Sequence, residues 1–523
     1  MFTNRSLDTF STGCRFTLAI GTIAFSPIAA GHGFGQRYDL PVPLLLWVIG
    51  AGLTVVVSFV MVGVFSGGCK TLGSYPRVNL LKASLMRGLA HWLPLAVIRT
   101  IAVILLIATV LAGFFGNQDP FYNLAPVMVW VVWWVGIAFV CALVGDLWAL
   151  INPFRTLFVW AEWIIGRLMN GRQLSTVRPY PLALSMWPAV AGLLIFFWAE
   201  LIWSAGSVPK NIAVAIVIYS VVTWSGMVVY GRDVWLQNAD AFSIVFGILA
   251  RFAPLELRLV NGKALIRTCT SPACRSKSLD CVNGYHCLTK AESEHREWNL
   301  RPPALGLVND QQVTFSMMVL VIVLLATVTF DGLLETRLWT HILDRTLTGE
   351  IRWVGSVALV LFASAFLFIY LIFCGVMNRL AERYSYNNQG DGPKSNLVVA
   401  RAFVLTLVPI AIAYHLAHYL SYLVITGQYL IPRLSDPLGY GWNLFGTVDY
   451  KVNIGLLSAQ IAWYLAVTLV VLGHVFAVYL AHLVAGRIFG MGRAALLSQI
   501  PMVLLMVLYT MVSLWILAQP MVA

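Results

Sequence analysis

Four histidines inside two long apolar segments are the residues of this chain best placed to do chemistry. His415 and His418 lie in AYHLAHYLSY (413–422), and His474 and His482 in LGHVFAVYLAHLVA (472–485). An ionisable side chain at bilayer depth costs roughly a few kcal/mol unless it meets a partner, water or a metal, so each marks a functional position. His415 and His418 are three residues apart and project from one helix face, about 60° apart with roughly 4.5 Å of rise, a separation that two ligands of one metal can bridge. His474 falls near mid-membrane on the following, antiparallel span. Three neutral imidazoles with one open position suit a catalytic Zn²⁺, and equally copper or non-haem iron. His482, near the inner edge and about 80° around the helix from His474, is the weakest member of the set. The same residues also admit two other readings: hydrogen bonding across helices beside Tyr414, Tyr419, Tyr422 and Tyr479, or proton relay and substrate contact.

Acidic groups at membrane depth are few. Asp331, within Thr329-Phe330-Asp331-Gly332, and Glu200 both belong to the outer half, where they are the expected catalytic acids, as ligand or as general base for a metal-bound water. Asp146 belongs to the inner half, and an ion pair with Arg99 or Arg155 is expected there.

A second set of donors is Cys269, Cys274, Cys281 and Cys287, spaced C-x4-C-x6-C-x5-C, with His286 and His295 nearby. In a reducing compartment such thiols point to a bound Zn²⁺ or an iron–sulfur cluster. The spacing matches no standard zinc knuckle or ferredoxin run, so a disulfide framework in an inverted topology and unligated thiols stay open. His32, if exposed by processing, offers an amine and imidazole pair for copper; the alternative is a loop capping the first span.

These residues need helices to hold them. Of 523 residues 59% are hydrophobic and 11% charged, and the mean hydropathy is +0.81. The expected fold is all-α, a polytopic transmembrane helical bundle. Residues 1–31 carry Arg5 and Arg15 before a modest apolar stretch ending in Ala29-Ala30-Gly31, the pattern of a signal peptide; an uncleaved first helix is the alternative. Ten spans follow, at about 41–65, 89–116, 124–150, 182–205, 210–231, 312–334, 352–378, 396–426, 455–486 and 495–518.

With both termini outside, the loops on the inner side hold 24 Lys and Arg and those outside seven. That asymmetry predicts that both termini lie outside, with an even number of spans. It also accounts for the net charge of +12, so nucleic acid is not a partner. The division is a five-span half (32–231), a cytoplasmic loop (232–310) with a re-entrant or interfacial segment at Asp240–Pro254 and the Cys cluster, and a second five-span half (311–523) carrying the histidines. The loop after the third span, Asn152-Pro153-Phe154-Arg155 with Trp160, Trp163 and Arg167, reads as an amphipathic helix on the inner surface.

The stretches GHGFGQRYDLPVP, GDLWALINPFR, TFDG, AHYLSYLVITGQ, SDPLGYGWNLFGT and SQIPMVLLMVLYTMVSLWILAQP resemble a family of bacterial polytopic membrane proteins commonly labelled fenitrothion hydrolase, an organophosphate triester hydrolase. The likeness runs from about His32 to the C-terminus. It implies cleavage of an aryl ester of a phosphoric or thiophosphoric acid with release of a phenol, and it points to no particular catalytic residue. Such substrates are neutral, oily small molecules that reach a site among helices from the lipid bilayer. A His-bound Zn²⁺ would supply both the hydroxide and the charge stabilisation that triester hydrolysis needs. The runner-up is a transporter or metal-handling permease with His415, His418 and His474 as an ion or proton site. A third reading is a subunit that anchors a partner membrane protein through the Cys loop.

Overall fold

In hydrocarbon every backbone amide must find its partner within the segment, and the apolar runs of this chain therefore wind as α-helices. A computed structural model describes residues 39–65, 75–170, 174–259, 281–282, 295–308, 313–345, 351–384, 394–490 and 492–521. Residues 1–31, His32, Cys269, Cys274 and Cys287 lie outside the described residues, and of Cys281 only the backbone is described.

The principal helices are, in chain order, α1 (Leu44–Phe65), α2 (Trp92–Phe115), α3 (Leu124–Leu143), α4 (Pro153–Leu168), α5 (Trp187–Leu201), α6 (Pro209–Tyr230), α7 (Ala241–Leu249), α8 (Phe315–Leu334), α9 (Ile351–Tyr384), α10 (Val408–Ile425), α11 (Ala459–Phe489) and α12 (Ile500–Met521). Each of the ten expected spans overlaps one of them. Among the described residues nine helices are long and apolar enough to cross a membrane; the tenth, α5, has only 15 residues. The chain is an all-α helical bundle and a multi-pass membrane protein.

Backbone contacts pair the helix ends. At one end Asn117 N donates to the Leu438 carbonyl and Leu124 N to that of Pro437. At the other Leu255 N reaches the Val144 carbonyl, Thr176 N that of Val228, and the Lys394 ammonium that of Ile488. Successive spans thus run up and down. Glu200, Asp331 and the 435–458 connection share one end, opposite the end that carries residues 232–259 and 295–308.

Two helices form the centre. Every residue from 316 to 332 on α8 is buried, and so is every residue from 408 to 419 on α10. A helix that is apolar all round and wrapped by others is a core helix, so ionisable groups on α8 and α10 face protein. Helix α10 is entered through a short helix, Asn396–Phe403, and a 3₁₀ turn, Val404–Leu407. Pro409 then opens α10 in its first turn, where a missing N–H costs nothing. Helix α11 packs closely on it because residue 473 is glycine: a Cβ there would stand 2.3 Å from the Ala413 Cβ. Helix α3 is wound as a π-helix from Val127 to Ile137, a wide form that is rare and gathers at functional sites.

Helix α4 buries Pro153, Phe154, Thr156 and Phe158 and leaves Trp163 and Leu168 exposed, with the Arg167 guanidinium 4.6 Å from the Trp163 ring centre. Helix α7, too short to cross, is buried at Phe242, Ile244, Val245, Phe246 and Ile248. Phe242 lies 4.4 Å from Trp133 and 5.0 Å from Phe196, ring centre to ring centre, so α7 inserts beside α3 and α5.

The 232–310 region, expected as a loop, holds a small antiparallel sheet in the order β1-β4-β2-β3, where β1 is Val78–Asn79, β2 Leu255–Leu259, β3 Cys281–Val282 and β4 Arg296–Leu300. Leu255 pairs with Leu300 and Arg258 with Glu297. Its alternation of charged and apolar residues is drowned by the surrounding basic residues, and β1 comes from a distant segment. Glu256 of β2 is fully buried and anchors the sheet: Arg301 Nη1 stands 3.2 Å from it, Tyr75 Oη donates to it at 2.9 Å, and Arg77 Nε approaches at 3.5 Å. Arg301 also donates to the carbonyls of Arg251 and Ala253. Burial, and then the neighbouring Arg301 charge, lower the Arg251 guanidinium to about 10.

Candidate functional site

At the end opposite the sheet, the C-terminal turns of α8 and α5 meet the middle of α10. Asp331 on α8 faces His418 and Tyr419 of α10. Its Oδ2 accepts from His418 Nε2 at 2.9 Å and from the Tyr419 hydroxyl at 2.6 Å. The His418 and Asp331 side chains are only 4% and 7% exposed. A carboxylate on Nε2 fixes the imidazole and leaves Nδ1 as its basic nitrogen. This is the orienting half of a general-base arrangement.

His415, one turn earlier on α10, is boxed by aromatic rings. Trp134 stands 5.6 Å away at 83°, Phe139 5.7 Å away and Tyr419 4.7 Å away. Its Nε2 is buried with no hydrogen-bond partner. Glu200 comes in from α5 within electrostatic reach of Asp331, and its Oε2 is likewise buried without a partner. Tyr419 and Tyr422 feel both carboxylates. Tyr414 stacks near His418, ring centres 6.1 Å apart and 19° from parallel, and its hydroxyl has no partner. An orphaned polar atom inside a protein costs roughly 1–3 kcal/mol. Three of them around one Asp–His pair describe a place where water or a polar ligand belongs.

His474 is held elsewhere. On α11 its Nδ1–H donates to the Val470 carbonyl at 2.8 Å, and its ring lies 5.9 Å from that of Tyr509. His482 accepts from Gln499 Nε2 at 3.3 Å, towards the sheet end. The structure thus brings Asp331, Glu200, His415 and His418 together and leaves His474 and His482 apart from them.

The metal expectation fares accordingly. Among the described residues no group of three or more His, Cys, Asp and Glu side chains is placed to hold one ion. His418 turns Nε2 to Asp331, His474 Nδ1 is held by the Val470 carbonyl one turn away, and His415 is enclosed by rings. For His418 the structure shows a hydrogen bond across helices to Asp331.

Asp146 also differs from expectation. It pairs with neither arginine; it caps the helix Leu147–Ile151, accepting from Ala149 N at 3.0 Å. Arg99 donates to the Leu150 carbonyl and Arg155 meets Asp233 at 3.8 Å. Burial drives the Asp146 carboxyl up to about 6.

Trp134, Phe139 and Tyr509 are the site neighbours that the sequence concealed. Trp134 sits in a run of three tryptophans (VWVVWW), and nothing in such a run says which ring turns inward. Tyr419 was visible as the residue beside His418 in the same motif. No family model, no curated protein and no solved structure matches the chain.

Proposed function

We propose that the protein is an integral membrane hydrolase of lipid-soluble phosphotriesters, with the Asp331–His418 pair as its general base. The observation that carries this reading is the Asp331 carboxylate, which receives both His418 Nε2 and the Tyr419 hydroxyl in a buried site. A His held in this way takes a proton from water as the water attacks phosphorus. His415 Nε2 and the Tyr414 hydroxyl, both without protein partners, are suited to the phosphoryl oxygen or the leaving phenoxide. Two stretches that carry the resemblance to organophosphate hydrolases, TFDG and AHYLSYLVITGQ, supply Asp331, His418 and Tyr419 and meet in space, which favours the same reaction class.

The proposed setting is a bacterial inner membrane with the site near the periplasmic surface and the sheet in the cytoplasm, because basic side chains concentrate at the sheet end. Reporter fusions at Gly284 and Gly441 should give opposite compartments. The four-cysteine loop is proposed to bind its own metal, and serine at Cys274 and Cys281 should then release about one metal equivalent per chain.

A second reading, a proton-coupled carrier, is favoured by the two carboxyls in one buried site and by the interrupted approach to α10. Purified protein in detergent separates the two. A hydrolase releases a nitrophenol from a dialkyl nitrophenyl phosphate with no gradient present, whereas silence outside sealed vesicles would leave the carrier.

A further inference from the structure

The geometry points to a second arm of this site: a buried proton relay from the Asp331–His418 pair through Tyr414 and the Thr329–Tyr509 pair to His474. Each element of the line is in place. The Tyr414 hydroxyl lies beside Gly332, 2.7 Å from where a Cβ would stand, and His418 Cε1 is 3.8 Å from that same point. Tyr414 and Tyr509 interact electrostatically. The Tyr509 hydroxyl shares a 2.5 Å hydrogen bond with Thr329 Oγ1, two residues before Asp331 on α8. The His474 ring closes the line 5.9 Å from that of Tyr509.

His474 is poised as the acceptor. Because Nδ1–H is committed to the Val470 carbonyl, the neutral ring carries its lone pair on Nε2. That atom has no partner in a residue 1% exposed. The Tyr414 hydroxyl is in the same condition on a residue also 1% exposed. Two orphaned atoms at the two ends of a hydroxyl chain are what a relay requires: each gives or takes a proton, or holds a bridging water, without first breaking a protein bond. The other titratable groups on the elements around His474 are His415, His418, Tyr419 and Tyr422 on α10, Asp331 on α8 and Tyr464, Tyr479 and His482 on α11 itself. Helix α1 contributes none. Arg401, Arg487 and Arg493 lie towards the sheet end.

The chemistry gives the relay its purpose, and that purpose rests on the hydrolase reading. Water adds to phosphorus, the P–O(aryl) bond breaks, the phenoxide takes up a proton and the diester is left as an anion. One proton per turnover remains in a buried site whose base is His418; the line shares it with His474 and returns it through His418 to water as the diester leaves.

The relay is tested apart from the reaction. Full-length chain labelled with ¹⁵N-histidine, in nanodiscs of phosphatidylethanolamine and phosphatidylglycerol, is titrated by solid-state NMR, with His474 assigned from its loss in His474→Gln. In Asp331→Asn the His474 midpoint should shift by at least about half a pH unit, since the far end of the line has changed its charge. Tyr509→Phe keeps the ring and removes the hydroxyl, and should abolish that coupling. Identical His474 titrations with and without the Asp331 carboxylate, or a coupling that survives Tyr509→Phe, would overturn the relay. In turnover, His474→Gln should lower kcat about ten-fold with KM unchanged and enlarge the solvent isotope effect. If the wild type releases no phenol the hydrolase reading is lost, and the NMR coupling still decides the relay.

Discussion

Gly332 and Tyr414 are in such close register that a Cβ on the glycine would lie 2.7 Å from the tyrosine hydroxyl and 2.6 Å from Ile516 Cγ2. The residue after Asp331 therefore sets how near α10 and α12 come to the site. Gly332→Ala should displace Tyr414, cost about 1–3 kcal/mol by overpacking and lower turnover about ten-fold or more. Gly50→Ala, where a Cβ meets nothing within 4 Å, is the matched control. Phenol release and thermal midpoint in detergent check both, and equal behaviour of the two variants would show that the close contact is unimportant.

The Asp331–His418 pair should respond as a unit. His418→Ala and Asp331→Asn should each reduce turnover about 10²–10⁴-fold, and the double variant should fall little further. Tyr419→Phe, which removes one donor to the carboxylate, should have a milder effect. His415→Ala separates general-base from metal-ligand roles: with no shared ion it loses only contacts to the reacting oxygen, and chelator treatment leaves wild-type turnover intact. Turnover abolished by chelator and restored by Zn²⁺ would return the site to metal chemistry.

Helix positions and site were legible to different degrees. Apolar runs of twenty residues have one solution in a bilayer, so the spans follow from hydropathy alone. The cost of burying Asp331, His415 and His418 was equally visible, since charge inside apolar sequence is a local signal. What was not visible was azimuth. His474 lies on the neighbouring α11, yet its place in the sequence does not say that its Nδ1 turns back to Val470 or that Tyr509 stands beside it. The sheet was hidden for another reason: Val78 and Leu300 are paired across more than two hundred residues, and two-residue strands carry no periodicity.

The sheet end has its own test in Glu256 and Arg301, both fully buried and 3.2 Å apart. Breaking a buried pair leaves an uncompensated charge and costs about 3–5 kcal/mol. Glu256→Gln should therefore lower the thermal midpoint markedly and loosen β2 from β4, leaving Arg77 and Arg301 without their shared carboxylate. Hydrogen exchange at Leu257 and Trp298 would report the loosening, and unchanged protection would argue that the backbone ladder alone holds the sheet.

Asp146 gives a pH dependence whose sign follows from its surroundings. Burial raises the carboxyl from 3.8 to about 6, and the bond from Ala149 N only partly offsets it. A folded-state value above the unfolded one means that the native chain holds the proton more tightly. The associated stability is complete below about pH 4 and is lost as pH rises through about 6. Asn at this position keeps an N-cap acceptor and carries no charge. Asp146→Asn should thus match the wild type near pH 4 and exceed it at pH 7.5 by about 1–2 kcal/mol, a value reduced from the full shift because the side chain is part-exposed. Thermal midpoints of both proteins at pH 4.5 and 7.5 decide the matter. Parallel curves would mean that the carboxyl reaches water at the membrane surface, so that burial exerts no hold on its proton.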